Sequence, residues 1–157
     1  MKEKILAVVR ETIETLGYLP VDMKMSSGGK MKKLLVVIYK QNSSISMDDC
    51  SRVSNVILRR LEVEIPSFSE SYDLTVESPG VDRKLTSIQE VEIFLDRKMR
   101  FVLRKIGDYP LQSIELVSKP VRIEGNKIIV DIEGKMIAID WNDIASLKLY
   151  FDIKEYL

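Results

Sequence analysis

The chain has 157 residues, of which 45% are hydrophobic and 31% charged, the balance of a soluble globular fold and not of a fibrous or disordered chain. Its 24 basic and 24 acidic side chains cancel, which excludes a global electrostatic attraction to nucleic acid. The halves do not differ: residues 1–84 carry 13 basic and 12 acidic groups, and residues 85–157 carry 11 and 12, so any nucleic-acid contact must come from local patches.

Residues 2–16 are predicted to form a helix, with Ile5, Val9, Thr12, Ile13 and Leu16 at helical spacing and Gly17 as its stop. Leu19, Val21, Met23 and Met25 then alternate with polar residues, the period of a half-buried strand. Residues 26–30, Ser-Ser-Gly-Gly-Lys, read as a hairpin turn into a central strand over 34–39. Ser46 opens a second helix with a capping box to Asp49, and Asp48 and Asp49 suit the positive end of its dipole. Cys50, Val53, Ile57 and Leu61 make its buried stripe, Arg52, Arg59 and Arg60 lie off it, and Pro66 ends it. Tyr72, Leu74 and Val76 mark a third strand. The first half therefore reads α-β-β-α-β, two helices on one face of a three-stranded sheet.

A break follows at Ser78-Pro79-Gly80, then a helical turn over 87–95. Five strands are predicted beyond it, at 98–104, 113–124, 127–132, 136–140 and 144–151. Turn signals separate them at Gly107-Asp108, Gly125-Asn126 and Glu133-Gly134. Short strands joined by tight turns suggest a small closed barrel. The expected organisation is an α+β chain, with an α/β domain over 1–84 and a five-stranded β-barrel over 85–157.

Several features bear on function. With no histidine, the chain lacks the commonest acid–base group and metal ligand. The acidic pairs Asp48-Asp49 and Asp140 with Asp143 cap or turn the chain, and no cluster points to catalysis, a metal or a cofactor. One cysteine, Cys50, excludes an internal disulfide and fits a reducing, cytoplasmic compartment. No apolar run approaches the length of a membrane-spanning helix, and Met1-Lys2-Glu3-Lys4 is unlike a secretory signal.

The stretch Tyr72-Asp73-Leu74-Thr75-Val76-Glu77-Ser78-Pro79-Gly80-Val81-Asp82-Arg83-Lys84-Leu85 resembles the signature of the RimP family of ribosome maturation factors. There a strand ends in Ser-Pro-Gly, followed by an aliphatic residue, Asp-Arg, one more residue and Leu. Leu16-Gly17-Tyr18, Met47-Asp48-Asp49-Cys50 and Asp143-Ile144 agree with it. The stretch over 107–117 departs from it by lacking a glycine-rich strand pair, and 151–157 stands where a more charged tail is usual. The resemblance implies an α/β domain followed by an Sm- or SH3-like barrel. It also implies binding to the immature small (30S) ribosomal subunit, with the barrel contacting a small-subunit ribosomal protein.

The candidate contacts with rRNA or a ribosomal protein fall in three groups. Ser78, Pro79, Gly80, Asp82 and Arg83 form the first: Gly80 and Pro79 shape a turn that presents a phosphate-clamping guanidinium. The other reading of Asp82 and Arg83 is that they pair with neighbours to fix the turn. Lys30, Lys32 and Lys33 at the first hairpin are either phosphate contacts or a solvated tip. Lys98, Arg100 and Arg104 alternate with apolar residues and share one strand face, open to phosphates or to cross-strand partners such as Glu124 or Asp131. The expected mechanism is a two-domain adaptor, its α/β half on rRNA and its barrel on the ribosomal protein, each modest contact reinforced by the tether. Nothing demands more than a monomer. The alternative is an Sm-like module for RNA or protein outside ribosome assembly.

Overall fold

A computed structural model describes residues 1–151; the tail over 152–157 lies outside the described residues. The chain divides into two compact units, Met1–Pro79 and a second that starts at Gly80.

The first unit follows the hydrophobic pattern. Helix α1 (Lys2–Thr15) and helix α2 (Met47–Glu64) bury Ile5, Val9 and Ile13, and Val53, Ile57 and Leu61. These meet Leu34, Val36 and Ile38, which lie at alternate positions of strand β2 (Met31–Tyr39). Strand β1 (Leu19–Gly28) pairs antiparallel with β2, and β3 (Tyr72–Glu77) pairs with it parallel, so β2 is central. A parallel partner needs a long crossover, which α2 supplies. Ser46 caps α2 as its sequence foretells: its hydroxyl accepts from Asp49 N at 3.1 Å, and its N–H donates to Asp49 Oδ2 at 2.8 Å. Beyond Pro66 the chain makes an unforeseen helical turn, α3 (Phe68–Ser71), entered through Ser67 at φ 69°. It buries Phe68, whose ring stacks on Tyr72 with centroids 4.6 Å apart.

The first hairpin is tighter than the sequence suggests. Gly28 pairs with Met31, so the turn is Gly29-Lys30 alone, with Gly29 at φ +73°. Lys32 and Lys33 consequently sit on β2 and not at the tip.

Among the described residues, the second unit contains helix α4 (Ile88–Ile93) and six strands. β5 (Glu115–Ser118), β4 (Met99–Leu103) and β9 (Ile144–Leu149) form one sheet in that order. β6 (Pro120–Glu124), β7 (Lys127–Ile132) and β8 (Lys135–Asp140) form the other. The single strand expected over 113–124 is thus two, interrupted at Lys119 before Pro120, which has no N–H for a ladder. The five expected strands become six in two three-stranded sheets, neither of which closes into a barrel. The turn residues perform as expected: Glu133 and Gly134 both have positive φ, the requirement of a tight two-residue hairpin, and join β7 to β8. Phe94, Phe101, Met99, Ile128 and Ile139 are fully buried in this unit.

Candidate nucleic-acid interface

The segment after Gly80 is sewn onto β9. Leu149 N donates to Arg83 O at 2.9 Å and Leu85 N donates to Leu147 O at 2.8 Å, which sets Lys84 opposite Lys148. Lys148 is in turn opposite Arg100 of β4. Residues directly opposite one another share a face, so Lys84 on its bridged segment, Lys148 on β9 and Arg100 on β4 form a row, all exposed. Arg100 donates to Glu115 Oε2 at 2.8 Å; among the described residues neither lysine forms an ion pair. Like charges placed opposite one another are unfavourable, and Lys84 against Lys148 is such a pair.

The other residues singled out in the sequence are dispersed. Lys98 is exposed and lies two residues before Arg100, at the same phase of the alternation. Arg104 is exposed and donates from Nε to Asn142 O at 3.1 Å. The suggested cross-strand partners are otherwise engaged, Glu124 with Arg122 at 2.7 Å and Asp131 with Gly134 N at 2.9 Å. Arg83 is half-buried and pairs with Glu90 of α4 at 3.2 Å, so its guanidinium is engaged with α4. Gly80 takes φ +80°, a conformation open to glycine, while Ser78 and Asp82 are exposed and Pro79 is half-buried. The segment 78–83 straddles the division between the units.

Lys30, Lys32 and Lys33 do not form one patch. Lys30 occupies the turn, whereas Lys32 and Lys33, adjacent on β2, point to opposite faces. Lys32 lies over the Tyr72 ring at 5.6 Å, and Lys33 is in register with Asp73.

On α2, Arg52 Nη2 donates to the Tyr18 hydroxyl at 2.7 Å, and that hydroxyl donates to Asp49 Oδ1 at 2.6 Å. Arg60 donates to Thr12 Oγ1 at 3.1 Å. Both therefore brace α2. Asp49 is held down to about 2, chiefly by the Tyr18 hydroxyl and then by Ser46, and the same hydroxyl is pushed above its ordinary value chiefly by that bond. In the second unit Tyr109 donates to Asp143 Oδ2 at 2.5 Å and accepts from Asp140 N at 3.0 Å. Asp140 also caps the short 3-10 turn Trp141–Asp143, so this acidic pair organises a corner. Among the described residues no group of three or more histidine, cysteine, aspartate or glutamate side chains could hold a metal ion.

The family model of the RimP N-terminal domain matches residues 8–82. The chain carries the N-terminal domain of the RimP family.

This family comprises ribosome maturation factors that act on the small ribosomal subunit. The match spans nearly all of the first unit and continues through Ser78, Pro79, Gly80 and Asp82. The basic row lies beyond it, and sequence reasoning found only one of its three members, Arg100. Lys84 was hidden in a motif and Lys148 in a strand; the signal that unites them is register, which links distant segments. No helix among the described residues is long and apolar enough to cross a membrane.

Proposed function

We propose that this RimP-family protein binds the immature 30S subunit in the cytoplasm and assists its assembly without catalysing a reaction. Its second unit contacts rRNA phosphates through the row Lys84, Lys148 and Arg100, with Lys98 and Arg104 extending the positive face. The observation that carries this reading is the row itself. Lys84 and Lys148, directly opposite one another and with no ion pair among the described residues, are unfavourable in isolation, and a phosphate backbone converts that cost into attraction. Because the charge is local on a neutral chain, binding stays weak enough for release from the matured subunit.

Arg83 is proposed to anchor the start of the second unit through Glu90 and not to clamp phosphate. Lys30 is a secondary contact at the hairpin tip, with Lys32 and Lys33 reaching phosphates only from their separate faces. The two sheets of the second unit are proposed to represent an Sm-like arrangement that also meets a small-subunit ribosomal protein, and the protein acts as a monomer.

The test is binding of the purified protein to small-subunit precursors and to mature subunits over a range of salt. Stronger binding to precursors, with a salt dependence that falls when Lys84 or Lys148 is neutralised, supports the reading. Equal binding to both particles, or a salt dependence unchanged by those substitutions, contradicts it.

A further inference from the structure

A separate site lies in the first unit and does not rest on the ribosomal reading. Strand β3 is the edge of its sheet: β2 pairs along one side and, among the described residues, no strand pairs along the other. Such an edge exposes backbone donors and acceptors that an added strand can complete. Alongside it runs a groove of about 570 Å³, bordered by residues 74–78 and by the N-terminal half of α2. The helix presents small side chains there, Cys50, Ser51, Ser54 and Asn55, which leave room for a backbone. Ile45 and Leu74 are half-buried along it, and Met47 stands 87% exposed among its lining residues.

Charge selects the occupant. Among the described residues Glu77 is the one charged side chain lining the groove, and Asp73, exposed on the same strand, lies in register with Lys33. The field reaches the lone thiol: Cys50 is raised above its ordinary value by burial first, then by Asp49 and Glu77. Among the groove's lining residues a nucleic-acid strand would meet a carboxylate and no cation. A second copy paired antiparallel along β3 would set the acidic residues of one edge against those of the other.

We propose that this groove binds an extended basic peptide segment, which adds to β3 as a fourth strand and places a lysine or arginine against Glu77. Main-chain hydrogen bonds would supply affinity, and alternate side chains would enter the groove and meet the carboxylate.

Cys50 is the only cysteine, so its modification by a maleimide in the full-length protein reads out occupancy. The probe is an end-capped hexapeptide of alternating lysine and valine. With peptide at about ten times its Kd, the modification rate is expected to fall roughly tenfold if the bound form is unreactive. Glu77→Gln should raise the peptide concentration required by up to about fivefold, the effect of one exposed ion pair. The same hexapeptide with N-methylated backbone amides should not protect. Amide chemical shifts should move together in residues 50–55 and 74–78. The proposal is overturned by the absence of both protection and shifts at millimolar peptide. It is overturned equally by protection that survives N-methylation, or by shifts scattered over unrelated carboxylates. The test contains no ribosome, so its failure leaves the proposed function standing, and the converse holds too.

Discussion

Nη2 of Arg83 lies 3.2 Å from Oε1 of Glu90, with the two side chains only 18% and 13% exposed. The other carboxylate oxygen of Glu90 accepts from Thr86 N at 3.3 Å, and Ser87 Oγ accepts from Glu90 N at 3.2 Å. Since Arg83 O also accepts from β9, this residue ties the start of the second unit to both α4 and a sheet edge. A charged hydrogen bond of this kind contributes about 1.5–3 kcal/mol. Arg83→Ala and Glu90→Gln should each lower the denaturant midpoint, and the double variant should lose less than the sum. Weaker precursor binding by Arg83→Ala at unchanged stability would instead assign the guanidinium to RNA.

Neutralising the row should move stability and binding in opposite directions. Lys148→Gln relieves unfavourable charge pairing, so thermal stability is expected to hold or rise by up to about 0.5 kcal/mol. Affinity for small-subunit rRNA should fall, and the slope of log K against log salt should become shallower by about 0.7–0.9 for each phosphate that the protein no longer neutralises. A merely structural lysine would leave the slope untouched.

Asp49 gives a defined acid response. Its carboxyl is held at about 2 by the Tyr18 hydroxyl, the Ser46 backbone N–H and the Ser46 hydroxyl, against an ordinary 3.8. A carboxyl lowered in the folded state stabilises fully above its ordinary value and loses that contribution as pH falls toward the folded value. The denaturation midpoint of the native protein should therefore drop between about pH 4 and pH 2, and Asp49→Asn should flatten that part of the profile. The Tyr18 phenol, raised chiefly by its bond to Asp49, should titrate at lower pH in the same variant, as read by ultraviolet absorbance.

Phe68 is 1% exposed, belongs to the core of the first unit and stacks on Tyr72 at an interplanar angle of 4°. Phe68→Ala should cost about 3–5 kcal/mol through reduced burial and the cavity left behind. Chemical denaturation measures it directly.

What could be read from the sequence was local. Ser46 and Asp49 are three residues apart and cap α2 as their pattern demands. Glu133-Gly134 makes the turn its composition requires, and Val53, Ile57 and Leu61 line the predicted stripe. Cys50, assigned to that stripe, packs against the same core but stays half-buried and also borders the groove. The misses came from long-range pairing. Tyr18 with Asp49, Arg83 with Glu90 and Lys84 with Lys148 depend on how strands and helices meet, which no spacing within one element encodes. The second unit was also simplified, because alternation over 113–124 cannot show that Pro120 interrupts the ladder and starts a new sheet. The three hairpin lysines looked like one patch because adjacency in the sequence conceals that successive strand residues face opposite ways.

The most direct test of the basic row is sedimentation of the tagged protein from cell extract through a sucrose gradient at moderate salt, beside a Lys84→Glu, Lys148→Glu variant shown to be folded. The native protein is predicted to travel with free small subunits and their precursors and not with mature ribosomes, while the variant stays near the top. A native protein that remains at the top even at low salt, or a variant that sediments as the native protein does, would contradict the claim that this row binds the immature subunit.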